Sequence, residues 1–160
     1  MSARVGVGYD VHQFSADESR VLVLGGVRFP GERGLTGHSD ADVAAHAVAD
    51  AMLGAAGLGD LGAHFPDDDN RWAGASSLDL LARVAELVKE EGFMLGNADC
   101  TVVCERPRLF GCREEMMRNL SVATGGPVQV KATRPEGLGA LGRREGIACV
   151  AVAMLDEVRS

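Results

Sequence analysis

The run VGVGYDVHQF, Val5 to Phe14, constrains the chain more than any other stretch. It alternates apolar with small or polar side chains, the period of an extended strand with one face turned inward. Side chains two apart on a strand leave the same face, so Asp10 and His12 point together off the strand's end. A carboxylate and an imidazole placed this way are half of a metal site, or else a solvated turn closed by a local hydrogen bond. Glycine numbers 21 and aromatics make up only 4% of the 160 residues, so a core has to be built from Ala, Val, Leu and Met with backbones in close approach. A hydrophobic share of 46% against 24% charged suits one domain with one core. A core of small side chains also leans toward partner subunits.

Further along, RVLVLGGVRFP reads as a hairpin broken at Gly25 and Gly26 and ended by Pro30. HSDADVAAHAVADAMLGAAG reads as a helix that opens at Ser39, with Asp42 three residues on in capping-box fashion, and runs to Gly57. Val43, Ala47, Val48, Ala51 and Met52 form its apolar face, while Asp42, His46 and Asp50 recur at i, i+4 and i+8 on a separate polar stripe. LGDLGAHFPDDDNRWAG has the Gly, Pro and Asp density of an ordered loop, and its length marks it as functional. Ser76 and Asp79 open a second helix with Leu80, Leu81, Val84, Leu87 and Val88 inward, up to Gly92. ADCTVVCE is a strand, CREEMMRNLSVATGG a third helix stopped by Gly125 and Gly126, and VQVKAT and IACVAVAML are strands around a Gly-rich turn. The order lacks regular βαβ alternation and predicts an α+β fold, a single-domain sheet covered by helices across residues 1–160.

A net charge of −7 disfavours a nucleic-acid partner, which asks for a basic surface. MSARVGVGYD lacks a charged-then-apolar leader, and no apolar run approaches the ~20 residues that cross a bilayer, so the expectation is a soluble cytoplasmic chain with no membrane partner. Cys100, Cys104, Cys112 and Cys149 form no C-x-x-C pair and are expected as reduced thiols rather than as a zinc site.

The third member of the constellation is His46, 34 residues beyond His12 on the helix's polar stripe. Asp10, His12 and His46 supply one hard oxygen and two borderline nitrogens, the mixture zinc accepts with a fourth position left open. Two His and one carboxylate equally suit a non-haem iron. Asp50, one turn beyond His46, is the expected partner for that imidazole's second nitrogen.

GYDVHQF, GHSDADVAAHAVADAMLGAAGLGDLGAHFPD and KATRPEGLGALGRREGIAC together resemble the 2-C-methyl-D-erythritol 2,4-cyclodiphosphate synthase family of the non-mevalonate isoprenoid pathway, from Arg4 to about Leu155. The resemblance implies a homotrimer with active sites at subunit interfaces, and a divalent metal, zinc by preference, on Asp10, His12 and His46. It implies the substrate 4-diphosphocytidyl-2-C-methyl-D-erythritol 2-phosphate, whose own 2-phosphate attacks the β-phosphorus and expels CMP. No protein nucleophile is needed, since phosphoryl transfer asks the protein mainly for alignment and charge stabilisation.

The same resemblance assigns roles. His38 and Ser39 match residues that touch substrate phosphate, His38 as transition-state stabiliser and Ser39 at a helix start whose free amides favour anions. Asp60 and Gly62 match positions near the ribose and erythritol, and Phe65 to Asp69, with Asp67 between them, a mobile loop that closes over the methylerythritol. Glu136 matches the carboxylate that holds a second divalent metal, magnesium or manganese, between the α- and β-phosphates. Cys104 to Phe110, CERPRLF, corresponds to the cytosine pocket, with Arg108 and Leu109 after Pro107 where a Lys is usual, and Thr133 alongside. Arg143 and Glu145 match a charged ring on the threefold axis. Ala140 stands where an aromatic is usual, which argues against isoprenoid-diphosphate binding there. Where the family commonly reads Ala-Thr-Thr-Thr-Glu, this chain has Ala132, Thr133, Arg134, Pro135 and Glu136, and Arg134 is expected to bind phosphate oxygens through charge-assisted bonds.

Two rival readings follow from the same region. GLGALG, Gly137 to Gly142, satisfies G-x-G-x-x-G, but a dinucleotide fingerprint must open a helix, and RREGIACVAVAML reads as a turn and then a strand. The departures in ATRPEGLGA motivate the other: a catalytically silent trimer that binds metal and a cytidine nucleotide as a scaffold.

Overall fold

The structure, a computed structural model, describes residues 3–158. The chain runs β1 (Arg4–Gln13), β2 (Val21–Leu24), β3 (Val27–Arg33), α1 (Val43–Ala56), α2 (Leu61–His64), a 3-10 turn (Asn70–Trp72), α3 (Ser77–Glu90), β4 (Phe93–Val103), α4 (Arg113–Thr124), β5 (Val128–Thr133), α5 (Gly139–Gly142) and β6 (Gly146–Glu157). The fold is α+β: β1, β6, β4 and β5 form one mixed sheet in that order, and β2 and β3 form a separate hairpin. β4 and β5 are parallel, joined through α4, which Gly125 stops in the left-handed region at φ 74°. The other neighbours are antiparallel.

The alternation in β1 has a concrete cause. Its inward positions are Gly6, Gly8, Asp10 and His12, all facing α1. A Cβ on Gly8 would stand 1.9 Å from the Ala47 carbonyl oxygen, and one on Gly6 would stand 2.0 Å from that of Ala51. Strand backbone therefore lies directly on helix backbone, which only glycine opposite alanine allows. The close approach also brings Asp10 within reach of His46, one turn before Asp50 on the same helix.

α1 is buried nearly all round rather than on one stripe; Val43, Ala44, Ala45, Ala47, Val48, Met52 and Leu53 are at most 1% exposed. It begins at Val43, not Ser39, because Asp42 is the N-cap and accepts from the amides of Ala44 and Ala45. The same fully buried carboxylate accepts from Gly25 and Gly26 at 2.8 Å each, at the turn of the β2–β3 hairpin. Both glycines have positive φ, as that turn requires. One aspartate thus ties the hairpin to the helix, and its oxygens occupy the amides that the sequence reading left open for an anion at Ser39.

Helices cover only one face of the sheet. On the other, Val5, Val7, Tyr9 and Val11 of β1 and Val150 and Val152 of β6 are 40–70% exposed. Tyr9 pairs with Val150 and Val7 with Val152, so these six form one apolar patch. Among the described residues, no helix is long and apolar enough to cross a membrane. Cys100, Cys104 and Cys149 are buried and Cys112 partly so, all as free thiols.

Candidate active site

Asp10 and His12 end β1 beneath the first turns of α1, and His46 projects from α1 to meet them. Asp10 Oδ2 lies 3.1 Å from His12 Nε2 and 3.2 Å from His46 Nδ1. One ligand atom from each residue falls within 4.8 Å of the other two, a convergence of one oxygen and two nitrogens suited to a divalent ion with open positions. The remaining ring nitrogens are held as such a site needs. His12 Nδ1 donates to the Thr36 carbonyl at 2.6 Å, which leaves Nε2 its lone pair. His46 Nε2 faces Ser77 Oγ at 2.8 Å and Ser39 Oγ at 3.3 Å. Asp50 does not hold His46, contrary to the sequence expectation; its Oδ1 accepts the Leu61 amide at 2.7 Å and so fixes the start of α2. Burial opposes charge on Asp10, but the His12 and His46 imidazoles beside it prevail and keep its carboxyl well below the usual carboxylate range. The Asp10 carboxylate in turn raises the His12 imidazole, against burial.

These three residues line a cavity of about 260 Å³ with Gly37, His38, Ser39, Asp50, Leu61, Gly62, Phe65, Asp67, Trp72 and Leu80. Eight sequence-predicted residues therefore meet there: Asp10, His12, His38, Ser39, His46, Gly62, Phe65 and Asp67. His38 Nε2 donates to the Asp69 carbonyl at 3.1 Å, while the Asp69 carboxylate caps the 3-10 turn and grips Arg71. That grip, with the Arg71 amide, holds the Asp69 carboxyl down to about 2. Asp60 is the N-cap of α2, accepting from Ala63, and stands outside the cavity lining. Phe65 meets Trp72 edge-to-face at 4.9 Å between centroids. Trp72 and Ser77 went unread in the sequence. The Trp72 ring lies in a loop without periodicity, and Ser77 was hidden behind its neighbour Ser76, which makes no side-chain cap bond.

The other predicted residues gather at the far edge of the sheet. Cys104, Glu105, Pro107, Arg108, Leu109, Phe110, Arg113, Ala132, Thr133 and Arg134 line a separate cavity of about 300 Å³ that shares no residue with the first. Thr133, Val103, Ala148 and Val11 stand in one row across β5, β4, β6 and β1, so the two halves occupy the same end of the sheet, about 14 Å apart at three strand spacings. Glu105 accepts from Arg134 Nε and Nη2 at 3.2 and 3.1 Å and from the Gly137 amide at 2.7 Å. The Gly137 bond, helped by Arg134 and opposed by burial, keeps the Glu105 carboxyl below its ordinary value. Between those anchors Glu136 is exposed at φ 55°. Ala140 is exposed in α5, and Arg143 pairs with Glu145 at 2.6 Å within the turn. α5 is a four-residue turn leading into β6, so GLGALG opens no dinucleotide-binding helix.

Residues 3–156 match the model of the YgbB family. The chain belongs to the YgbB family. Among curated YgbB relatives, a 2-C-methyl-D-erythritol 2,4-cyclodiphosphate synthase from Salinibacter ruber is 54% identical over 95% of this chain and 98% of its own length. A bifunctional enzyme IspD/IspF from an Anaeromyxobacter species is 57% identical over 97% of this chain, which spans only 40% of that relative. Of solved structures, the bifunctional IspDF from Campylobacter jejuni superposes with a TM-score of 0.91 at 40% identity, covering 98% of this chain and 42% of that one. IspF from Plasmodium falciparum in complex with CDP does so with a TM-score of 0.84 at 30% identity over 99% and 98%. The chain thus spans about two fifths of its bifunctional YgbB relatives and nearly all of the single-function ones.

Proposed function

We infer that this chain converts 4-diphosphocytidyl-2-C-methyl-D-erythritol 2-phosphate to 2-C-methyl-D-erythritol 2,4-cyclodiphosphate and CMP, a step of non-mevalonate isoprenoid synthesis. The observation that carries the reading is the convergence of Asp10, His12 and His46 at the floor of a cavity that also holds His38 and Ser39. An oxygen of the 2-phosphate attacks the β-phosphorus, the bond from that phosphorus to the α,β-bridging oxygen breaks, and CMP leaves with the electron pair. Asp10, His12 and His46 would hold one divalent ion, for which zinc suits the donor set, and Glu136 a second, magnesium or manganese; bound there, they would neutralise charge and polarise phosphate oxygens.

The chain's own groups align and stabilise. His38, with Nε2 committed to the Asp69 carbonyl, offers its other edge to the phosphate that gains charge in the transition state. Ser39 contacts the same phosphate. Its part is that of a hydroxyl donor, because Asp42 already takes the helix amides. Gly62, Phe65 and Asp67 wall the methylerythritol, Asp60 lies toward the ribose, and Phe65 and Trp72 exclude water. Across the sheet, Cys104, Arg108, Leu109, Phe110 and Thr133 receive the cytidine, and Arg134 turns its uncommitted Nη1 toward the diphosphate. Binding of CDP by the Plasmodium falciparum relative supports a cytidine nucleotide here.

A homotrimer with shared sites accounts for two features at once. It covers the apolar outer face of β1 and β6, and it sets the cytidine half of one subunit against the metal half of the next, which a single chain keeps about 14 Å apart. The deciding experiment follows phosphorus NMR of the purified chain with substrate, zinc and magnesium. CMP and the cyclic diphosphate should appear in equal amounts. Nucleotide binding with no CMP release would overturn the catalytic reading and leave the silent scaffold.

A further inference from the structure

We propose that Ser77 and Asp40 are positioning residues for His46, a hydroxyl-bridged carboxylate that fixes which imidazole nitrogen is offered to the ion. The proposal rests on the reading of Asp10, His12 and His46 as ligands. His46 presents Nδ1 to the centre, 3.2 Å from Asp10 Oδ2, so its proton has to sit on Nε2. The groups at Nε2 are both hydroxyls, Ser77 at 2.8 Å and Ser39 at 3.3 Å. A hydroxyl accepts as readily as it donates, and alone it leaves the tautomer undecided.

Asp40 removes that freedom. Its Oδ1 is hydrogen-bonded to the Ser77 hydroxyl, and its Oδ2 accepts the Ser77 amide at 3.1 Å. A carboxylate only accepts, so the single Ser77 proton is committed to Asp40 and Ser77 Oγ must accept from His46 Nε2–H. The chain then has one polarity, from imidazole to hydroxyl to carboxylate. It is also rigid: Ser77 is 1% exposed as the first residue of α3, and the Asp40 amide donates to the Ala75 carbonyl at 3.2 Å. Ser39 is the looser partner, its hydroxyl also accepting the Ala41 amide. His12 needs no such device, because a backbone carbonyl sets its tautomer.

The test uses the full chain stripped of metal, as wild type, Ser77→Ala, Ser77→Thr and Asp40→Asn, with folding of each metal-free protein checked by circular dichroism. Zinc affinity is read by competition with a chromophoric chelator, and the visible spectrum is recorded after cobalt(II) loading. Ser77→Ala should bind zinc about 10- to 100-fold more weakly with an altered cobalt spectrum, as loss of an outer hydrogen-bond partner does elsewhere. Asp40→Asn should lose less, about 3- to 10-fold, since an amide oxygen still accepts, and Ser77→Thr should stay close to wild type. Ser77→Ala and Asp40→Asn that both bind zinc within about twofold of wild type would overturn the relay and leave the metal site standing. If Ser77→Ala does not fold, Asp40→Asn alone decides on the same criterion. Wild type that binds no zinc removes the ligand reading itself, and the relay with it.

Discussion

The two halves of the candidate site stand at the same end of one sheet and are built in opposite ways. In the metal half each of the three candidate ligands has a second anchor inside the chain: His12 on the Thr36 carbonyl, His46 on Ser77, Asp10 between the two imidazoles. In the diphosphate half, Thr133, Arg134, Glu136, Ala140 and Arg143 are exposed, and the Glu105 carboxylate is the side chain that ties Arg134 and the Gly137 amide to β4's end. A half that is complete in itself can be specified by one chain's packing. A half that presents its groups outward is finished by whatever stands opposite, and in a homotrimer that is the metal half of a neighbour.

The most severe way to break this contrast is to remove a ligand from the self-contained half. His46→Ala should lose its bound zinc and lower CMP release at least about 1,000-fold, because an aligned ion is worth several kcal/mol of transition-state stabilisation. Elemental analysis and the CMP assay read the two effects separately. Full metal content with wild-type turnover would show that the buried half is not where the chemistry sits.

A second test leaves both halves intact and keeps them apart. Val7 and Val152 face each other on the uncovered side of the sheet, so Val7→Glu with Val152→Glu places two like charges there without entering the core. The chain should keep its circular dichroism spectrum, sediment as a monomer and lose about 100-fold or more in turnover, the order expected when half of an alignment is missing. An active monomer would mean that one chain completes the site.

The third sharpens the account of why the metal half is rigid. A Gly8→Ala methyl would overlap the Ala47 carbonyl oxygen, and relief requires β1 to move off α1. A loss of about 3 kcal/mol or more, at the upper end for an overpacked site, is expected in thermal or urea unfolding, with weaker zinc binding because Asp10 rides on the same strand. An unchanged midpoint would show that the strand is free to shift.

How much of this was legible follows the same division. Asp10, His12 and His46 were readable because strand and helix periodicity put each on a predictable face, and the element order and the α+β class follow from those same periods. The close contact of β1 with α1 was foreshadowed by glycine and alanine content, though not its location. The misread points involve bonds between segments far apart in sequence. Ser39 seemed to open the helix because Asp42's bonds to Gly25 and Gly26 are invisible in one local window. Asp50 seemed the partner of His46 because it is one turn away, whereas Ser77 is 31 residues on. The outer sheet face was hidden for a different reason: alternating valines look the same whether a helix or another subunit covers them.

The mildest test falls on the exposed half, at the residue where the chain departs most from the pattern it resembles. Two of the three Arg134 nitrogens are committed to Glu105, so that carboxylate aims the guanidinium instead of merely neutralising it. The remaining nitrogen is the one expected on a diphosphate oxygen, where a charge-assisted bond is about twice as strong as a neutral one. Arg134→Ala should therefore lower kcat/KM by about 10- to 100-fold, and Arg134→Thr should recover part of the loss through a shorter hydroxyl contact. Glu105→Gln keeps the size and one acceptor but not the charge, and should cost less than Arg134→Ala, mainly in KM, since it loosens the aim of a cation that is still present. If Arg134→Ala leaves kcat/KM unchanged, the guanidinium serves only to hold Glu105 and the turn. Arg134 would then join the chain's internal scaffolding, and the diphosphate would be left to the other exposed charged groups of this half, Arg108 and Glu136.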